Sequence, residues 1–204
     1  MKILVFAAHP DDVEPQMGGT ILKHVANGDS VSIIQVTSPL VNGDKHIRQS
    51  EARQAARVLQ SEIEFLDINS MQLHDFRKLV SIFDNILDAK QPERVYTCWP
   101  HDSHQEHTIV SNMVLSATRK NFCDVLFFEP IIPGGIMPVG FEPNLFIDIS
   151  DFVQLKEESI QKHESQIQRF GIQWLEAIRS RSILHGFKIH KRHAEAFKII
   201  KMIQ

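Results

Sequence analysis

The sequence predicts an α/β fold in a single domain over residues 1–204, with a mostly parallel sheet flanked by helices. Three observations point to it. Ile3 to Ala8 is an unbroken apolar run that stops at the polar His9-Pro10-Asp11-Asp12, as expected of a strand buried on both faces. Stretches of β-branched or apolar character then alternate with stretches of helical spacing up to residue 128, the pattern of βαβ units with right-handed crossovers. Finally, 204 residues with 43% apolar and 23% charged content match one domain at roughly 100–200 residues per domain, and such a chain buries about 70% of its unfolded surface.

Each element has its own signal. After the first strand, Gly18 to Asn27 carries Ile21, Leu22, Val25 and Ala26 at helical spacing and stops at Asn27-Gly28, a usual helix end. Val31 to Thr37 is β-branched and reads as the second strand. Ile47 to Leu59 reads as a helix, Glu64 to Leu66 as a weak strand, and Phe76 to Leu87 as a helix with Phe76, Leu79, Val80, Phe83 and Leu87 on one side, closed by Pro92. Arg94 to Cys98 is the next strand, followed by a helix over His104–Arg119 and a strand over Asp124–Phe128. Residues 130–143 hold four Pro and three Gly, which disfavours helix and central strand. Leu145 to Asp148 reads as a short strand, Asp151 to Gln168 as a charged helix, and Ala194 to Ile203 as a final helix.

Composition narrows the function. A net charge of −3 supplies no basic field, so nucleic acid is not the expected partner. Two cysteines, Cys98 and Cys123, make no disulfide framework and suit a reducing compartment, the cytoplasm. The first apolar run is too short for a secretion signal or a transmembrane segment. No Gly-x-Gly-x-x-Gly follows the first strand, which argues against a dinucleotide cofactor. No Gly-x-Ser-x-Gly elbow is present either.

In parallel sheets ligands bind beyond the carboxyl ends of the strands. Two clusters lie there: His9-Pro10-Asp11-Asp12 after the first strand, and His101-Asp102-Ser103-His104-Gln105-Glu106-His107 after the Arg94–Cys98 strand. His9 and Asp12 can offer nitrogen and oxygen to one Zn2+, and a third ligand from the other loop leaves the open position that a catalytic zinc site requires. Zinc polarises a carbonyl and makes water a nucleophile near neutral pH, which suits hydrolysis of an amide. Asp11 is placed to act as the general base. The plainer readings stand beside these. Asp12 can cap the following helix, and Ser103-x-x-Glu106 reads as a capping box. That box puts His104 and His107 in the first helical turn, where the positive helix end suits His107 as a neutral ligand. Asp102 is expected to accept a hydrogen bond from the His104 ring.

Ala8-His9-Pro10-Asp11-Asp12-Val13-Glu14 with Gly18-Gly19-Thr20 resembles the signature of the LmbE/PIG-L family of zinc-dependent N-deacetylases, and Asp102-Ser103-His104-Gln105-Glu106-His107 is similar to its second motif, usually Asp-x-His-Pro-Asp-His. Weaker echoes are Arg48-x-x-Glu51, Phe146-Ile147-Asp148, Lys156, Ser165-Gln166 and Ala194 to Phe197. The resemblance implies a Rossmann-like fold and removal of an N-acetyl group from a small-molecule N-acetylated sugar or sugar conjugate. It implies His9, Asp12 and His107 as zinc ligands, Asp11 as base, and His104, oriented by Asp102, acting on the oxyanion or the leaving amine. Arg48 matches a substrate-binding arginine; the alternative is an i,i+3 pair with Glu51 on a helix surface. Gln105 and Glu106 depart from the usual Pro and Asp, and Pro15-Gln16-Met17 departs beyond the base.

Two rival functions are a zinc amidase for a larger acyl or thiol conjugate, and a non-catalytic Rossmann-like nucleotide-binding module in which the clusters only cap helices. The apolar 130–143 segment is expected to be a lid, a substrate wall or a subunit contact, the last in keeping with a homo-oligomer. The basic stretch from His185 to His193 reads as a solvated charged face.

Overall fold

A strand with no polar face has to be covered on both sides, and Lys2–Ala7 (β1) runs through the middle of the sheet. The computed structural model describes residues 1–38, 45–69, 72–130 and 139–203. β1 leads into a helix over Val13–Ala26 (α1), which ends at Asn27 with Gly28 at φ +84°, a conformation open to glycine. Ser30–Ser38 (β2), a helix over Lys45–Val58 (α2) and Glu62–Asn69 (β3) follow. β3 is longer than the Glu64–Leu66 expectation because it is an edge strand, whose polar alternation tolerates Glu62 and Glu64 facing water.

Phe76–Lys90 (α3) starts at Asp75, whose side chain accepts from the Lys78 amide at 3.2 Å. Arg94–Thr97 (β4), Gln105–Ala117 (α4), Asp124–Phe128 (β5) and Leu145–Asp148 (β6) come next. The predicted charged helix is broken in two, Val153–Gln161 (α5) and Glu164–Phe170 (α6), with buried His163 at the break. Ile172–Lys188 (α7) forms a helix that the sequence reading did not single out.

Ala194–Lys201 (β7) corrects the reading of a final helix. The segment is a strand, antiparallel to both β5 and β6. Ala194, Glu195 and Ala196 are good helix formers, and tertiary pairing overrides that preference. The sheet order is β3-β2-β1-β4-β5-β7-β6, with β3 through β5 parallel. The chain order therefore reverses between β1 and β4, and the crevice at such a switch is where ligands bind.

α1 is kinked at Met17 (φ −145°, ψ 17°), in the Pro15-Gln16-Met17 stretch that departs from the family pattern. The break frees the Gly19 and Thr20 amides, and both donate to the Glu195 carboxylate of β7 at 3.0 and 2.7 Å. Lys156 of α5 neutralises that carboxylate at 2.6 Å, and both side chains are buried. A Cβ on Gly19 would lie 2.7 Å from Ile149, so only glycine lets α1 approach so closely.

The expectation for residues 130–143 falls largely on Ile131, Ile132, Ile136 and Met137, which lie outside the described residues. Val139 is exposed, and Phe141 packs edge-on against Trp99 at 5.2 Å. The stretch from His185 to His193 is not wholly a solvated face. His185 is buried against Glu129 at 2.7 Å, and His193 is buried against Ser182 at 3.0 Å.

Candidate metal centre and active site

The carboxyl end of β1 is pinned before it turns. The Ala8 carbonyl accepts from the Thr37 amide at 3.0 Å, the Thr37 hydroxyl at 2.8 Å and the Gln35 side chain at 3.1 Å, all from β2. The next residues fold back on themselves: the His9 amide donates to Asp12 Oδ2 at 2.8 Å. Asp12 occupies the N-cap position of α1 yet makes no capping bond, so its remaining oxygen is free to face the cleft. That disposes of Asp12 as a simple cap.

Three donors converge there. His9 Nδ1 lies 3.0 Å from His107 Nε2, His107 Nε2 lies 3.2 Å from Asp12 Oδ1, and His9 Nδ1 lies 3.6 Å from Asp12 Oδ1. Bonds of about 2.0–2.1 Å to a tetrahedral zinc ion put ligand atoms about 3.3 Å apart, so this triangle fits such an ion with little rearrangement. The outward-facing nitrogens are also served. His9 Nε2 meets Glu106 Oε2 at 2.7 Å, and His107 Nδ1 meets Asp102 Oδ2 at 2.7 Å. A carboxylate behind an imidazole fixes its tautomer and raises its basicity, as metal-ligating histidines require.

The electrostatics agree. Burial opposes the charged form of His9, but Asp12 and Glu106 outweigh it and raise its pKa to about 9. His107, equally opposed by burial, is raised to about 10 by Asp12 and Asp102. Burial likewise works against the Asp12 carboxylate, yet His107 and His9 hold its pKa well below the usual range. The carboxylates of Asp12, Asp102 and Glu106 thus favour positive charge on this histidine pair. Those sites are the ones a divalent cation would take.

Two expectations are corrected here. Asp102 does not orient the His104 ring. Its Oδ2 serves His107, and its Oδ1 accepts the His104 backbone amide at 3.0 Å. Nor is Ser103-x-x-Glu106 a capping box. α4 begins at Gln105, and Glu106 turns away to His9 and to the Thr37 hydroxyl at 3.1 Å. Asp102 satisfies the first orphan amide, which leaves Glu106 available for the imidazole. Thr37 is therefore a neighbour of the site that the sequence reading missed, and Glu106 stands out in the sequence only as the longer residue where the motif usually has Asp.

His104 stands at the N-cap of α4 with its ring stacked on His107 (4.7 Å) and edge-on to His9 (4.5 Å). Burial, then His9 and His107, lower its pKa. One donor atom each of His9, His104 and His107 falls within a 4.8 Å cluster, so His104 flanks the centre. Arg48 is ion-paired with Asp11, the two side chains being 11% and 15% exposed. It forms no surface pair with Glu51, whose carboxylate instead accepts from the Ser165 amide and hydroxyl at 2.8 and 2.6 Å. Every residue singled out as a site candidate thus lies in one crevice between the ends of β1 and β4, with α2 on one side.

Comparison with known proteins places this crevice in context. A diacetylchitobiose deacetylase of Thermococcus kodakarensis is 25% identical over 221 residues, covering 98% of this chain and 83% of that protein. The structure of an N,N'-diacetylchitobiose deacetylase from Pyrococcus horikoshii superposes with a TM-score of 0.82 at 24% identity, covering 98% of this chain and 83% of that one. That of a 4-carboxy-2-hydroxymuconate hydratase from Pseudomonas putida superposes with a TM-score of 0.83 at 18% identity, covering 100% and 97%. The fold is therefore shared by proteins of different reaction. The family model described as GlcNAc-PI de-N-acetylase matches residues 4–118, a span that contains both motifs and more than half of the 204 residues. The chain belongs to the GlcNAc-PI de-N-acetylase (PIG-L) family.

Proposed function

We propose that this protein is a zinc-dependent hydrolase that removes the N-acetyl group from an N-acetylated sugar or sugar conjugate, releasing acetate and a free amine. The observation that carries the reading is the triangle of His9 Nδ1, His107 Nε2 and Asp12 Oδ1 with Asp11 beside it. All three donors are nitrogen or oxygen, the set used by catalytic zinc. The reading extends to the whole chain as one domain, because β6 and β7 complete the sheet that carries the site.

His9, Asp12 and His107 would hold the zinc ion, which would supply polarisation of the acyl carbonyl and activation of water at neutral pH. Asp11, next in the chain to Asp12, accepts the proton of the attacking water on its carboxylate. Arg48 holds Asp11 oriented before substrate arrives and supplies donors for a sugar hydroxyl. His104, biased to the neutral imidazole by burial and by its two histidine neighbours, presents an N–H to the developing oxyanion. Asp102 and Glu106 position His107 and His9. Among the described residues no helix is long and apolar enough to cross a membrane. The free thiols of Cys98 and Cys123 support a reducing compartment, the cytoplasm.

The test is acetate release by zinc-reconstituted protein across N-acetylated monosaccharides, disaccharides and nucleotide sugars, beside analogues with longer acyl chains. Acetate from at least one N-acetyl sugar, abolished in the His107→Ala variant, is the expected result. Turnover confined to the longer acyl groups would replace the deacetylase with the amidase. A zinc-loaded protein inert towards every amide would overturn both.

A further inference from the structure

One metal-binding side chain at the end of β4 has no part in the proposed reaction. Cys98 follows β4 directly, is a free thiol, and is 1% exposed. It sits against the metal centre: one donor atom each of Cys98, Asp12 and His107 lies within 4.8 Å of the other two, and all three residues are buried. Cys123, the other thiol, precedes β5 and so belongs to the opposite end of the sheet.

We propose that Cys98, Asp12 and His107 form a second coordination set, one that captures thiophilic cations such as Cd2+ and holds them in an inactive arrangement. Thiolate selects soft cations, whereas the nitrogen and oxygen set of His9, Asp12 and His107 has no such preference. With metal–sulfur bonds of about 2.3 Å and metal–nitrogen bonds of about 2.0–2.1 Å, ligand atoms around one ion stand about 3.6 Å apart. The three donors, within 4.8 Å of one another, therefore need to close by about 1.2 Å at most, within reach of small side-chain rotations. The carboxylates of Asp12 and Asp102 lie close enough to bear on the sulfur, which makes the spot a poor place for a lone thiolate and a good one for a cation.

Asp12 and His107 belong to both sets, so the two modes exclude each other. A cation drawn towards Cys98 gives up His9 and gains a protein ligand where the hydrolytic set keeps an open position. On capture the S–H bond breaks, the proton passes to solvent, and the sulfur lone pair goes to the cation; nothing is oxidised or reduced.

The inference rests on Asp12 and His107 being metal ligands, and the experiment separates the two claims. In a Cys123→Ser background Cys98 is the sole thiol. The metal-stripped protein is titrated with Cd2+ while near-ultraviolet thiolate-to-cadmium absorption and bound metal are measured; zinc retention is measured in parallel. The band should saturate at one Cd2+ per chain, vanish with Cys98→Ser and with His107→Ala, and persist with His9→Ala. Zinc should be retained by Cys98→Ser and lost by the two histidine variants. In the zinc-loaded enzyme, Cys98→Ser should raise the Cd2+ needed for half-inhibition about tenfold, a shift of about 1.4 kcal/mol. Cadmium bound without the band overturns this inference and leaves the zinc ligands standing. Zinc retained in full by His107→Ala overturns the ligand reading and the inference with it.

Discussion

Asp102→Asn distinguishes two roles for one carboxylate. In the structure both Asp102 oxygens are committed: Oδ2 to His107 Nδ1 at 2.7 Å, and Oδ1 to the His104 amide at 3.0 Å and the Ser103 hydroxyl at 3.4 Å. Its side chain is 1% exposed, so water cannot replace what is lost. Asparagine has a single acceptor oxygen. Whichever way it turns, its NH2 faces a donor, either the imidazole N–H or the start of α4. A hydrogen bond to a charged group contributes about 1.5–3 kcal/mol, and loss of such an outer partner lowers metal affinity about 10–100-fold. At about 1.4 kcal/mol per decade the two figures meet near 1.4–2.8 kcal/mol. Chelator competition on the purified variant should show zinc affinity weakened by that factor, with the circular dichroism of the fold retained. Were Asp102 instead to orient the His104 ring, kcat would fall and zinc affinity would stay. Zinc binding unchanged within about threefold, beside a reduced kcat, would refute the assignment to His107.

Asp11→Asn keeps the shape of the base and leaves the three ligands intact, so zinc should remain at one per chain while kcat drops about 10²–10⁴-fold; near-normal turnover would reduce Asp11 to a turn residue. Because the surrounding carboxylates raise the pKa of His9 to about 9 and of His107 to about 10, zinc binding should release protons from this pair. Calorimetry in buffers of different ionisation enthalpy should find at least one proton released per zinc at about pH 7.5, and release of none would show that neither imidazole is a ligand. The same shifts have a stability consequence in the metal-free form. Both folded pKa values lie above the unfolded value of about 6.5, so the stabilisation is fully present below about pH 6.5 and is lost as pH rises through 9 and 10; urea midpoints that rise over that window would contradict the sign. Glu195→Ala strands the buried Lys156 and the Gly19 and Thr20 amides, which should cost about 3–5 kcal/mol in urea unfolding, and a loss under about 1 kcal/mol, the range of an exposed pair, would show that the network is not buried in solution.

What could be read from the chain was whatever one segment decides by itself. Past their polar first residues Lys2, Arg94 and Asp124, β1, β4 and β5 are buried on both faces, and their runs carry that fact residue by residue. β3 extends beyond its Glu64–Leu66 signal because an edge strand needs only half of its residues apolar. β7 carries a local helix signal in Ala194, Glu195, Ala196 and Lys198. What makes it a strand is pairing with β5 and β6 and the reach of Glu195 to the kink in α1, across 176 residues of sequence. α7 lacks a clean apolar stripe, since Ile183, Leu184 and Phe187 are exposed along it, and helical spacing alone did not mark it.

The site divides in the same way. His9 and Asp12 could be named because they stand just past the end of β1, and His107 because it opens the helix that follows β4, at the carboxyl edge of the sheet, where the backbone brings different segments together whatever the side chains do. Their supporting carboxylates could not be assigned, because a carboxylate at a helix start has two good uses there: it can take an orphan amide or reach an imidazole. Local rules supply only the first, and so gave Ser103 and Glu106 to the capping of α4. The second use depends on a ring delivered from 97 residues away. Asp102 shows how the choice is made, for its two oxygens do both jobs at once, and that frees Glu106 to stand behind His9. The longer side chain at position 106, a departure from the motif, is thus tied to a definite contact. Its carboxylate reaches both His9 Nε2 and the Thr37 hydroxyl on the neighbouring strand, so β2 is coupled to the orientation of the His9 ring just past β1.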